Sequence, residues 1–246
     1  MGFLFGGNAP RWDITKMPSQ VGKIAIVTGS NSGIGFYTAR ALAERGAHVI
    51  LACRNEKRGR EAESEMTKYL AAKQITSAGS VEFKQVDLSV LQSVHDFADG
   101  IKARFDKLDL LINNAGIAAP TEVLTSDGLE TQFQASPAAR VVTVSSLAHR
   151  TAAIIESMAP GFLCPVLEYI ATWVPFQETE MGALPTLYAA TDMDVTNGDY
   201  IGPADYGHRR GYPMKQTPGA NTQSREDRLQ LWQLSETLTQ IHFDVK

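Results

Sequence analysis

The apolar residues of this chain gather into short segments, some of them near-continuous, separated by longer stretches in which apolar and charged positions mix. The runs are Ile24–Thr28, His48–Cys53, Val81–Val86, Leu108–Ile112 and Val141–Val144, each of strand length. Between them, Gly33–Glu44, Glu56–Leu70 and Leu91–Phe105 have helical composition, and a further short helix is predicted after Thr125-Ser126-Asp127. Strands separated by helices predict βαβ units, right-handed crossovers and a parallel sheet. Val49-Ile50-Leu51-Ala52 and Leu110-Leu111-Ile112 show no polar alternation, which fits a sheet covered on both faces. The expected fold class is α/β, with a doubly wound parallel sheet.

This rhythm stops after Val144, where no further strand is predicted. Two helices are expected there, Glu180–Thr191 and Ser224–Thr239. The second opens with Ser224 as N-cap and Asp227 three positions on, then places Leu231, Leu234 and Leu238 on one face. Between them Asn197-Gly198, Gly202-Pro203 and Gly211-Tyr212-Pro213 predict irregular turns.

A length of 246 residues suits one domain, 1–246, in which 1–20 form an N-terminal extension. A hydrophobic share of 43% and a charged share of 20% are those of a soluble globular protein. The net charge of -4, with no long basic run, argues against nucleic acid as a partner. Cys53 and Cys164 form no spacing pattern, so Cys53 is expected as a small buried hydrophobe in a reducing, cytoplasmic setting. The start, Met1-Gly2-Phe3-Leu4-Phe5, has no basic region before an apolar core and does not read as a signal peptide. The apolar stretch Gly161–Phe176 is interrupted by Pro165 and Glu168 and is shorter than the ~20 residues of a membrane span. The five histidines show no ligand spacing, and no metal site is expected.

Chemistry concentrates at the ends of the predicted strands. Thr28-Gly29-Ser30-Asn31-Ser32-Gly33-Ile34-Gly35 follows the first strand and opens the first helix, the arrangement of a dinucleotide-phosphate cradle in a Rossmann-type sheet. Gly29 permits the tight turn, Gly33 lets a pyrophosphate approach the backbone, and Gly35 allows close helix–strand packing. The second strand ends in Arg54-Asn55, where an acidic residue would take the 2′-hydroxyl of NAD. Arg54 suits a 2′-phosphate instead, so NADP is favoured over NAD. The third strand ends in Asp87-Leu88, with Asp87 available to an adenine amine or to cap the next helix near Ser89. The fourth ends in Asn113-Asn114-Ala115-Gly116, at the strand edge where ligands bind such sheets.

These motifs, with Val141-Val142-Thr143-Val144-Ser145-Ser146, resemble the short-chain dehydrogenase/reductase family. Ala52-Cys53-Arg54-Asn55, Ser145–His149 and Gly182–Thr191 resemble its retinol-dehydrogenase and WW-domain-oxidoreductase-like branch, and Leu231–Thr239 is similar to that branch's last helix. The resemblance covers about residues 12–155 and 158–242. It implies hydride transfer between a nicotinamide and a carbonyl or alcohol carbon, on a lipophilic substrate that is retinoid-like or steroid-like. It makes Ser146 the catalytic serine that holds the substrate oxygen, gives His149 a structural role, and makes Trp173 part of a substrate-facing lid. A homodimer is usual in the family, but the helices that form it are absent or shortened here, so the resemblance leaves the oligomeric state open. Membrane association stays open.

The chain departs from the family at two points. Between Gln134 and Ala135 the rest of the fourth helix, with its asparagine, is missing. Near Ile154-Ile155-Glu156 the helix with the Tyr-x-x-x-Lys general acid/base pair, the sixth strand and a Pro-Gly loop are missing. The sheet is therefore expected to be incomplete after its fifth strand, whose edge loses its cover. Tyr69-Leu70-Ala71-Ala72-Lys73 repeats the spacing, but it falls between the second and third strands and is not expected to reach Ser146. Two readings follow: an NADP-dependent oxidoreductase, or a catalytically inactive nucleotide-binding or partner-binding protein.

Overall fold

The computed structural model describes residues 11–75, 77–116, 140–144, 177–205, 208–219 and 224–240. Its contacts divide the chain into two compact units, 1–145 with 175–215, and 146–174 with 216–246. The first unit carries strands β1 (Ile24–Thr28), β2 (His48–Cys53), β3 (Ser80–Gln85), β4 (Leu110–Asn113) and β5 (Arg140–Thr143). Helices α1 (Gly33–Glu44), α2 (Glu56–Ala72) and α3 (Leu91–Lys102) link the first four, and α4 (Thr179–Thr191) follows later.

The five strands form one parallel sheet in the order β3-β2-β1-β4-β5. Chain order reverses between β1 and β4, which opens a crevice at their carboxyl ends. Side chains alternate between two cores. Ala25, Val27, Val49, Leu51 and Ile112 pack on one face with residues of α1, α2 and α4. Ile26, Ile50 and Ala52 pack on the other with Val86 and Ile101. Val49, Ile50 and Leu51 are fully buried, so β2 is apolar on both faces, as the unbroken run predicts. Truncating Leu51 to Ala in such a site costs about 2–5 kcal/mol.

Two features differ from the sequence expectation. The turn-rich region beyond α4 contains a two-stranded sheet of β6 (Tyr200–Asp205) and β7 (Arg210–Gln216). Pro203 and Pro213 made strands look improbable there, yet every strand of a two-stranded ribbon is an edge and tolerates a missing N–H. The described part of the N-terminal segment enters the core: Met17 and Gln20 are fully buried, and Trp12 is nearly so. The Trp12 indole donates to Asp192 Oδ2 at 2.8 Å and meets the Tyr188 ring edge-on at 5.3 Å, which ties the segment to the end of α4.

In the second unit the described residues include helix α5 (Arg225–Thr239). Ser224 Oγ accepts from the Asp227 amide at 3.2 Å, the cap its sequence predicts. Leu231, Leu234 and Leu238 are exposed. The helix expected after Asp127, Ser146 and its flanking motif, and Trp173 lie outside the described residues. Among the described residues no helix is long and apolar enough to cross a membrane.

Asp109 joins the two central strands at their starting ends. Its Oδ2 accepts from the Ile24 amide and its Oδ1 from Lys107 Nζ, both at 2.9 Å. Burial alone raises its pKa, but the Ile24 amide and the Lys107 ammonium outweigh that and hold it below its ordinary value of 3.8. A carboxylate with a depressed folded pKa contributes stability above its unfolded value, and that contribution is lost as pH falls through the folded one. Asp109→Asn is therefore predicted to lower stability at neutral pH and to flatten its pH dependence below about pH 4. Urea unfolding between pH 2 and 7 checks this; parallel curves for both proteins would contradict it.

Candidate functional site

The cradle begins where β1 ends. Gly29 and Gly33 take φ of +63° and +60°, conformations that a side chain disfavours. Gly29 also has no room: a Cβ there would lie 2.9 Å from Ala115 Cα. A Cβ on Gly35 would strike Asn114 Nδ2 and sit 2.6 Å from the Gly29 carbonyl oxygen. Gly33 is the opposite case, because a Cβ there meets nothing within 4 Å. The space beside it is open, at the N-terminus of α1, where unpaired amides and the helix dipole favour an anion. These residues fit a pyrophosphate. Ser32 is exposed and holds the N-cap position without a side-chain cap bond, while Asn31 and Ile34 are partly exposed. Ser30 is fully buried, its Oγ 3.5 Å from Cys53 Sγ, and it braces the turn from beneath.

One hydroxyl binds the cradle to the neighbouring strand. Thr28 Oγ1 accepts from the amides of Asn114 at 3.0 Å and Ala115 at 2.9 Å, and donates to the Ile112 carbonyl at 3.4 Å. Asn114 answers by donating its Nδ2 to the carbonyls of Thr28 at 2.9 Å and Gly29 at 3.4 Å. Asn114 is thus a brace between β4 and the glycine turn, seated in the gap that Gly35 leaves. Asn113 is buried at the end of β4, with Nδ2 lacking a hydrogen-bond partner. Ala115 and Gly116 are exposed beside the turn.

Arg54 and Asn55 are exposed at the end of β2. Asn55 Oδ1 accepts from the Arg58 amide at 2.9 Å and caps α2. The Arg54 carbonyl accepts from Gln85 Nε2 at 2.9 Å, which fixes the backbone of this corner and leaves the guanidinium exposed. Gln85 had no sequence signal for this part. Asp87 Oδ1 accepts from the amide of Ser89 at 2.9 Å and its hydroxyl at 2.6 Å, while the Asp87 amide donates to Ser93 Oγ at 2.9 Å. Asp87 therefore closes a turn rather than capping α3, which starts at Leu91 behind Val90. Leu88 packs against the second core.

Tyr69 and Lys73 lie on α2 and converge on Glu44, the last residue of α1. The Tyr69 hydroxyl donates to Glu44 Oε2 at 3.1 Å and Lys73 Nζ donates to Oε1 at 3.2 Å. Tyr69 and Glu44 together raise the Lys73 pKa, which keeps it cationic. Glu44 stands at the far end of α1 from the cradle, about 16 Å away at 1.5 Å per residue. The pair is a helix-to-helix contact.

Thr28→Val keeps the shape and removes the acceptor for two amides, so it is predicted to cost about 1–3 kcal/mol and to loosen the β4 loop. Thr28→Ser retains the hydroxyl and is predicted to stay near the wild type. Denaturant unfolding of both variants checks this; an unchanged valine variant would contradict the bracing role.

The family model described as short chain dehydrogenase matches residues 23–159, which include the cradle, Arg54, Asp87 and the β4 loop. WW domain-containing oxidoreductase from Homo sapiens is 39% identical over 173 residues, covering 63% of this chain and 40% of that protein. Retinol dehydrogenase 12 from Homo sapiens is 38% identical over 164 residues, covering 59% of this chain and 49% of that protein. The chain thus spans less than half the length of these curated relatives. The crystal structure of an uncharacterized protein from Mycobacterium paratuberculosis is similar with a TM-score of 0.70 and 28% identity, over 96% of this chain and 100% of that one. With a family match over more than half its length and a doubly wound sheet that carries the glycine turn at its switch point, this chain belongs to the short-chain dehydrogenase family.

Proposed function

We propose that this chain is an NADP-dependent oxidoreductase acting on a lipophilic alcohol or carbonyl compound of retinoid-like or steroid-like class. The observation that carries the reading is the open positive-φ cradle at Gly33 together with an exposed Arg54 at the end of the adjacent strand. In this proposal the α1 N-terminal amides hold the pyrophosphate. Arg54 offers paired donors to a 2′-phosphate, which an acidic residue at that position would repel. Asp87 keeps Oδ1 in its turn and presents Oδ2 to the adenine amine. Ala115 and Gly116 line the open side of the β4 loop. The nicotinamide, when bound, supplies or accepts the hydride. Ser146 donates a hydrogen bond to the substrate oxygen and orients it, a role that rests on resemblance. A homodimer and a cytoplasmic setting belong to the same proposal.

A second reading, nucleotide binding without turnover, is favoured by one observation. The Tyr-x-x-x-Lys spacing occurs in this sequence at Tyr69 and Lys73 alone, and both are engaged with Glu44. Without a positioned general acid/base the rate falls by about 10²–10⁴-fold.

Two measurements on the purified chain separate the readings. Calorimetry is predicted to show NADP bound at least about tenfold more tightly than NAD, with the preference lost in Arg54→Gln. NADPH consumption with a retinoid aldehyde supports the oxidoreductase. Binding without consumption supports the silent binder, and no binding of either nucleotide contradicts both.

A further inference from the structure

Among the described residues, β3 is the terminal strand of the sheet and pairs with a strand on one side only. The Ser80 amide donates to the Ala47 carbonyl and the Val86 amide to that of Cys53, so even-numbered amides of this strand point toward β2. In a parallel ladder the N–H and C=O groups of Val81, Phe83 and Gln85 then point away from it. Such a row is a template for another strand.

Helix α2 reaches over this row at its middle. Glu63 Oε1 accepts from the outward Phe83 amide at 3.1 Å. Gly59 makes the approach possible, because a Cβ there would collide with the Phe83 ring. Arg60 lays its guanidinium over the same ring, 5.4 Å from its centroid, and is held in place by Glu56 through a 2.9 Å bond from Nε. Two successive turns of α2, at Gly59-Arg60 and at Glu63, thus converge on one edge residue. Packing alone does not require a carboxylate at position 63, since Ala62, Met66 and Leu70 already bury the inner face of α2.

We propose that Glu63 is an edge guard: by occupying the Phe83 amide it keeps a second copy of this chain from adding to the sheet at β3. The occupant it excludes is another β3, related by a two-fold axis and paired antiparallel, because the exposed ladder is the same on both copies. The guard acts by filling the central donor, and its charge adds repulsion between two approaching copies.

Glu63→Ala and Glu63→Gln test this by sedimentation at a series of concentrations and by amide hydrogen exchange. The alanine variant is predicted to expose the Phe83 amide and to associate at least about tenfold more strongly than the wild type, the worth of one hydrogen bond to a charged group. The glutamine variant keeps an acceptor oxygen and is predicted to resemble the wild type in exchange at Phe83. Faster exchange of the Phe83 amide in the dilute, monomeric alanine variant without association at higher concentration overturns the proposal, and so does association while that amide stays protected in the monomer. The wild-type protein offers a test that needs no variant. Its Phe83 amide is predicted to exchange as slowly as the inward amides of Glu82 and Lys84, and free exchange there overturns the proposal.

Discussion

The hydroxyl of Thr28 is the interaction on which the candidate site depends. β1 and β4 are neighbours in space but lie more than eighty residues apart in the chain, and the crevice between their ends is where the fold places ligands. One side chain spans that crevice floor, accepting from two amides of the β4 loop and donating to a β4 carbonyl. The bond count matters because all three partners are backbone groups, which have few alternatives when partly buried. Asn114 completes the tie in the other direction. Gly35 has to be glycine for Asn114 to sit where it does, so the helix, the turn and the neighbouring strand constrain one another.

The rest of the unit supports that junction. The two apolar faces of β2 anchor α1 and α2 on one side and α3 on the other, so the N-terminus of α1 cannot shift without moving the core. At the opposite ends of the same strands Asp109 binds Ile24, so β1 and β4 are fastened at both ends. The edge at β3 is treated differently from the interior. There α2 gives up a side chain at Gly59 and spends a carboxylate at Glu63 on a single backbone amide.

Much of this was legible in the sequence, for physical reasons that differ by element. β1 and β2 are buried on both faces and β4 on one face with Leu111 half-buried on the other, and apolar runs of that kind have few other uses; their boundaries fall within two residues of the expectation. The glycine turn was legible because each glycine answers a separate geometric demand. The ribbon of β6 and β7 was not, because proline and glycine mark turns in most settings and only an edge ribbon excuses them. The brace formed by Asn114 was also hidden: an asparagine at a strand end reads as a ligand contact, and only the position of Thr28 shows that its side chain ties β4 to the glycine turn. Ser30 shows the same limit, since nothing in a Gly-Ser-Asn-Ser string says which serine faces inward. Ser146, on which substrate orientation rests, falls outside the described residues.

The central claim is that the adenosine end of a dinucleotide site is assembled in this chain and sufficient for binding. Calorimetric titration with 2′,5′-ADP, which lacks the nicotinamide half, tests it most directly. The account predicts saturable one-to-one binding with a Kd within about tenfold of that for NADP, since the cradle and Arg54 carry the affinity. Absence of binding by 2′,5′-ADP, with NADP still bound, would show that the affinity resides elsewhere and would contradict it.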